Sequence, residues 1–388
     1  MTVPDRRAFV VVMDACGVGA LPDAAEYGDA GSDTLGHLAQ AVGGLRLPAL
    51  QALGLGNVAA IEGVPPAGVP RAVHGRLHRE GPGKDSTTGH WELMGVVTPA
   101  PLPTYPDGFP PAVLERLRAA TGHAFCANAP LNGLEAIDRY AAHHLATGEL
   151  ILYTSQDSVL QVAAHEDVLG EEALYDVCIR IRAVMTGPDA VGRVIARPFR
   201  GTPPELARTD GRRDFSVPPP GRTALLAASE EGVEVHTVGK ADDLMAHQGI
   251  GHAHPGATDE VALAEVDALV DGLDAGLVLA NLVDTDQLHG HRKDAAGFAA
   301  ALEEIDAHVA RWTAALRPGD LLVLTADHGV DITASHSDHT REYVPLLAAW
   351  PGGGAARHDG AMADVAASVL RRLGVRGHAE RRGATFVP

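Results

Sequence analysis

Cysteine is scarce, with three in 388 residues, at positions 16, 126 and 178, and no CxxC spacing. An odd and scattered set cannot build a disulfide framework, and reads as free thiols in a reducing, cytoplasmic compartment. Aromatic residues make up only 4% of the chain. Basic residues are outnumbered: 31 Lys and Arg against 50 Asp and Glu give a net charge of −19. That balance excludes a surface for wrapping nucleic acid, which needs clustered cations to neutralise phosphates. An anionic substrate must instead meet local positive charge, from metals or from a few placed Arg and Lys. Long apolar runs are also missing. The run over residues 8–13, after Arg6 and Arg7, is cut off by Asp14, far short of the ~20 residues of a membrane span. It reads as a buried strand, with no signal or membrane segment.

What is present suits a soluble globular protein: 46% hydrophobic and 21% charged residues. The length suffices for two domains, each with its own core. Three short apolar runs end in acids: AFVVVM before Asp14, GLVLANLV before Asp284 and Asp286, and DLLVLTA before Asp327. Such runs suit strands buried on both faces of a parallel sheet. Between them lie alanine-rich amphipathic stretches such as residues 296–316, stopped by Pro318 and Gly319. The alternation predicts a doubly wound α/β core, with ligands beyond the carboxyl ends of the strands, where these aspartates fall. Proline-rich stretches at 99–111 and 216–222 bracket a segment with helix-like (170–187) and strand-like (LILYTS, GRVIARPF) parts. We read residues 101–220 as an inserted α+β domain and residues 1–100 and 221–388 as the two parts of the core.

Asp327 and His328 in TADHG, with His339 shortly after, pair carboxylate and imidazole in a way that suits Mn²⁺ or Zn²⁺ better than Ca²⁺. NLVDTDQLHGHRKD adds Asp284, Asp286, His289 and His291 after a second strand, and Asp14 ends a third. Carboxylates from three strand ends can converge only at a sheet edge, where cations must offset their repulsion. Asp286 and Asp327 read as ligands. Asp284 and His289 read equally as partners of ligands or as packed loop residues. A second histidine group, His247, His252 and His254 in AHQGIGHAHPG, has neither a carboxylate nor a buried strand before it and reads as a flexible solvated loop. In GPGKDSTTGHWELMG, Ser86 and Thr87 follow Lys84 and Asp85 as candidate nucleophiles. Thr88 and His90 read as residues of a cap or polar turn.

Taken together, VVMDACGVGALPDA, GKDSTTGHWE, YTSQDSVLQVAAHE, VGRVIARPF, NLVDTDQLHGHRKD and TADHG with SDHTREYVPLL resemble, in order and over most of the chain, the phosphopentomutase family of the alkaline phosphatase superfamily. The resemblance implies a core of alkaline-phosphatase type carrying a cap domain that holds substrate over two divalent metals, with Mn²⁺ expected. One metal would be held by Asp286, His291 and His339. The other would be held by Asp14, Asp327, His328 and the nucleophile oxygen. Ser86 stands where the family usually has threonine, a change that keeps the hydroxyl and loses a methyl. Ser155, Asp157 and Val159 match the sugar-binding stretch, while Arg193, Arg208 and Lys240 match positions expected to bind the distal phosphate. The implied partners are pentose phosphates, with a sugar bisphosphate as priming activator, and neither nucleic acid nor membrane. Oligomeric state is left open. The competing readings are a phosphohydrolase or phosphoglycerate mutase of the same superfamily, and a metal-binding protein without turnover.

Overall fold

The computed structural model describes residues 6–155 and 158–388. The chain falls into two compact units, residues 1–100 with 219–388, and residues 101–218. In chain order the strands of the first unit open with β1 (Arg7–Met13) and β2 (Val73–His78). The second unit supplies β3 (Phe125–Pro130), β4 (Leu150–Thr154), β5 (Val159–His165), β6 (Arg193–Thr202), β7 (Glu205–Arg208) and β8 (Arg213–Ser216). The first unit resumes with β9 (Val235–Val238), β10 (His252–His254), β11 (Gly276–Leu282), β12 (Leu321–Thr325), β13 (Val344–Ala349) and β14 (Gly360–Ala361).

The core sheet runs β10-β9-β11-β1-β12-β13-β2-β14. It is parallel from β10 to β12 and antiparallel at β12/β13 and β13/β2. The three acid-ended runs are therefore the adjacent strands β11, β1 and β12. Every residue of each is buried, the pattern of strands covered on both faces, and their Val and Leu side chains suit that packing. Helices Asp259–Gly272 and Ala295–Ala315 pack on one another, and the first also packs on β11. Each begins at a side-chain cap: Thr258 accepts from Val261 N–H, and Asp294 from Gly297 N–H. Helix Asp364–Leu373 packs on β1 and β12. This is the doubly wound, mainly parallel α/β core the sequence predicts. No helix of the described residues is long and apolar enough to cross a membrane.

The second unit has a mixed sheet, β3-β4-β5-β6-β7, with β8 paired to β6. One cluster packs Leu152, Leu160 and Val162 with Leu117, Leu174 and Ile181 of helices Pro111–Thr121 and Glu171–Val184. Another packs Ile151, Tyr153 and Phe199 with Ile137 and Ala141 of helix Gly133–Thr147.

One sequence expectation fails. His252 and His254 lie in the edge strand β10, paired in parallel to β9, so that part of the Gly-rich stretch is not a solvated loop. Carboxylates also reach the histidines: Glu265 lies 3.2 Å from His254 Nδ1, and Asp242 lies 2.8 Å from His247 Nδ1. Asp242 stands just before the stretch, whereas Glu265 comes from helix Asp259–Gly272, beyond a local reading of AHQGIGHAHPG.

Candidate active site

The site in the core unit is built where β11, β1 and β12 end. Asp14 follows β1 directly, fully buried, and its Oδ2 accepts from Asn281 Nδ2 of β11 at 3.0 Å. Thr285 Oγ1 donates to the Asp14 carbonyl at 2.7 Å, tying the two strand ends together. Beyond β11 the chain makes a π-helical turn, Thr285–Gly290, with His291 N–H donating to the Asp286 carbonyl at 3.1 Å. That i to i+5 closure brings two side chains together that an α-helix would splay around its axis. His291 Nε2 lies 3.4 Å from Asp286 Oδ1, and His339 Nε2 approaches the same oxygen at 3.6 Å. After β12, Asp327 and His328 are both buried. His328 Nε2 lies 3.3 Å from Asp14 Oδ1, 3.2 Å from Asp327 Oδ2 and 3.0 Å from Ser86 Oγ.

Ser86 opens helix Ser86–Leu93, and the cap position belongs to Asp85, whose Oδ1 accepts from Thr88 N–H at 2.9 Å. The Thr88 hydroxyl is engaged with Asp85 and Arg79. Capping thus occupies Asp85 and Thr88 and leaves Ser86 to face His328. The preceding loop is clasped from behind: Arg341 Nη1 donates to the carbonyls of Gly81 and Gly83, at 2.6 and 2.7 Å, and Lys84 pairs with Asp29 at 3.1 Å. A Cβ on Gly89 would fall 2.6 Å from the Asp327 carbonyl oxygen, so only glycine lets this helix come so close to the end of β12.

The electrostatics call for cations. Asp14 Oδ1, Asp286 Oδ1 and Asp327 Oδ2 are buried, and none accepts a hydrogen bond among the described residues. Burial, then the charges of Asp327 and Asp286, pushes the Asp14 carboxyl well up. Burial opposes ionisation of Asp286 and Asp327 too, but neighbouring histidines outweigh it and hold both below the usual carboxylate range. Burial and then His328 push His339 down to about 3, leaving a neutral imidazole with a lone pair. Asp286, His291 and His339 each offer a ligand atom within 4.8 Å of the others, and so do Asp14, Asp286 and His328. Mixed carboxylate and imidazole donors with orphaned oxygens fit divalent cations of the Mn²⁺ or Zn²⁺ class.

One sequence reading is narrowed, that of Asp284 and His289, and one changes, that of His90. Asp284 exchanges backbone-to-carboxylate hydrogen bonds with Asp259, and His289 Nδ1 pairs with Asp294 at 2.9 Å, so neither faces the cluster. His90, read as a turn residue, is fully buried with Nδ1 3.2 Å from Asp327 Oδ2. Its place one helical turn after Ser86 was the available signal.

Lys240 also belongs to the core unit, and its charge lowers the Asp14 carboxyl against the stronger upward pushes. In the second unit Val159 is buried and pairs with Arg193 across β5 and β6. Arg193 lies 3.5 Å from Asp214, which also takes two 2.8 Å bonds from Arg212. Ser155 is half-buried after β4, and Asp157 lies outside the described residues. Arg208 ends β7, and a Cβ on Gly133 would meet its Nη2 at 2.5 Å and the Tyr153 hydroxyl at 2.8 Å. That hydroxyl is buried and has no hydrogen-bond partner among the described residues. The Arg197 guanidinium donates twice to Gln161 Oε1.

A profile of the Metalloenzyme superfamily matches residues 232–376, a stretch that includes Asp286, His291, Asp327, His328 and His339. Among solved structures, a Leishmania mexicana phosphoglycerate mutase aligns over 100% of this chain and 98% of its own, at 13% identity and a TM-score of 0.49. The phosphopentomutase of Anaeromyxobacter dehalogenans is 50% identical over 375 residues, 96% of each chain. That of Caldanaerobacter subterraneus is 44% identical over 374 residues, 95% of each. Identity at that level, sustained from end to end of both partners, extends well past a shared fold, and the chain is an enzyme of the phosphopentomutase family.

Proposed function

We propose that the enzyme interconverts ribose 1-phosphate, or 2-deoxyribose 1-phosphate, and the corresponding 5-phosphate, in the cytoplasm, by way of a phosphorylated Ser86 and a pentose bisphosphate. The observation that carries this reading is the 3.0 Å approach of Ser86 Oγ to His328 Nε2 at the edge of the buried carboxylate cluster. Asp14, Asp327 and His328 would hold one divalent cation, and Asp286, His291 and His339 the other, with Mn²⁺ the activating ion. When bound, the cations neutralise the carboxylates and stabilise the attacking and leaving oxygens of the transferred group.

The chain's own residues do the rest. Asp85 caps the helix so that Ser86 sits in its first turn, where free N–H groups and the helix dipole favour phosphate charge. Arg341 and Lys84 hold the loop in place. Phosphoserine gives its phosphoryl group to the free hydroxyl of the pentose monophosphate, the Ser86 Oγ–P bond breaking as the sugar O–P bond forms. The bisphosphate turns over, and the other phosphoryl group returns to Ser86 Oγ. A sugar bisphosphate primes the serine at the outset. Arg193, Arg208 and Lys240 would grip the phosphate that is not reacting, and Ser155, Asp157 and Val159 the sugar. Water must be kept from the phosphoserine, or transfer gives way to hydrolysis.

A coupled assay of ribose 1-phosphate conversion, after metal stripping and Mn²⁺ return, tests the reading. Ribose 5-phosphate should form with little inorganic phosphate. Sustained phosphate release without isomer would identify a hydrolase instead.

A further inference from the structure

His236, His252 and His254 take no part in the chemistry above, yet the core sheet gathers them at its edge. β9 and β10 pair in parallel, with His252 opposite His236 and His254 opposite Val238. Side chains along a strand alternate faces with a period of two, so Glu234 and His236 share a face with His252 and His254. His236 stacks on His252 with ring centroids 4.6 Å apart, and on His254 at 5.3 Å. Glu234 Oε2 stands 3.7 Å from His236 Nε2. One ligand atom each from Glu234, His236 and His252 lie within 4.8 Å of one another.

The hydrogen bonds fix which nitrogen of His236 is free. Glu265 Oε2, 3.2 Å from His254 Nδ1, is a carboxylate and can only accept, so His254 Nδ1 carries the proton. In neutral His254, Nε2 is then an acceptor, and His236 Nδ1, 3.0 Å away, donates to it. His236 Nε2 is left with its lone pair. That atom is buried and has no hydrogen-bond partner among the described residues, on a side chain whose residue is only 7% exposed. Burial, then the neighbouring His252 and His254, pushes the His236 imidazolium toward its neutral form. A carboxylate–imidazole chain orienting a ligating imidazole from behind is the arrangement that metal-binding histidines use.

We propose that Glu234, His236 and His252 form a further metal site, separate from the catalytic cluster, for a borderline cation of the Zn²⁺ class. Two imidazoles and one carboxylate with a fourth position open to water is a zinc ligand set, whereas Ca²⁺ and Mg²⁺ prefer oxygen donors. The site is remote from the chemistry. His236 is level with Val278 and Val278 with Phe9, five residues short of Asp14, which is about 16 Å along the strand at ~3.3 Å per residue. Its cation touches no reacting atom and instead clips the three-residue strand β10 to β9.

The test compares stripped wild-type enzyme with His252→Ala, a substitution at an exposed position, and with Glu234→Gln. Each is reloaded with Mn²⁺, and Zn²⁺ is then added in equilibrium dialysis with elemental analysis. Wild type should bind one more Zn²⁺ per chain than His252→Ala, and Glu234→Gln should bind that ion at least tenfold more weakly. Zn²⁺ should raise the unfolding temperature of wild type more than that of either variant, while Mn²⁺-supported mutase activity stays the same in all three. Equal zinc stoichiometry and equal affinity in wild type and both variants overturn the proposal.

Discussion

Ser86 Oγ and His328 Nε2, 242 residues apart in sequence, lie 3.0 Å from one another. The contact joins the first turn of a capped helix to the end of β12, and it singles out one hydroxyl of the Ser-Thr-Thr run. Ser86→Ala is expected to abolish phosphoenzyme and mutase activity together, because no other group supplies the acceptor oxygen. Ser86→Thr should remain active and Thr87→Ala should keep much of both. Peptide mass spectrometry after incubation with a sugar bisphosphate locates the phosphate. Finding it on Thr87, with Ser86→Ala still active, would reverse the assignment.

Removal of the metals should silence the enzyme reversibly. Asp14 Oδ1, Asp286 Oδ1 and Asp327 Oδ2 are buried without a hydrogen bond among the described residues, and leaving them uncompensated is costly. We expect elemental analysis of active enzyme to find two catalytic-site cations per chain, and Asp286→Asn to weaken the one held with His291 and His339. A fully active preparation with less than one metal per chain contradicts this.

Arg341 holds the nucleophile loop through its backbone. Its guanidinium donates to Gly81 and Gly83 and pairs with Asp23 at 2.8 Å. Arg341→Gln should lower kcat by roughly 10²-fold, the scale of a displacement of about 1 Å, with a smaller change in KM. Steady-state kinetics reads the split, and a change confined to KM would place Arg341 in substrate binding.

Gly133→Ala probes the second unit. Its added Cβ would press on Arg208 Nη2, the far end of a flexible side chain, and on the hydroxyl of the buried Tyr153, so Arg208 should move and stability should fall by about 1–3 kcal/mol. KM for ribose 5-phosphate should rise severalfold with kcat largely kept. An unchanged KM would argue that Arg208 does not meet the phosphate.

Asp259 makes stability fall as pH rises. Burial is the main cause that lifts its carboxyl from 3.8 to about 6, with the Asp284 charge adding to it. The folded state therefore holds a proton that the unfolded state has already lost, and stability declines between about pH 4 and pH 6 by on the order of 3 kcal/mol. Asp259→Asn keeps an oxygen to accept from Asp284 N–H, at 3.0 Å in the native protein. Urea unfolding across that range should give a flatter difference curve for the variant. Parallel curves would show that Asp259 titrates normally.

The sequence by itself determined the parts whose signals are local. Continuous Val and Leu runs specify strands covered on both faces, and their terminal acids mark the ligand-binding end of the sheet. Alanine-rich periodicity marks the helix realised as Ala295–Ala315. The tertiary structure decided what depends on pairing between distant segments. Parallel registry of β11, β1 and β12 is what turns three separate aspartates into one buried cluster. A π-helical turn, which no residue pattern announces, selects His291 for Asp286 and turns His289 to Asp294. His90 reaches Asp327 only because glycine at 89 lets a helix approach a strand end. His252 meets His236 only because β10 adds to the sheet edge in that register. Side-chain periodicity fixes a face along one element, whereas the partner on that face is set by backbone hydrogen bonds to another, and these are not encoded at either site alone.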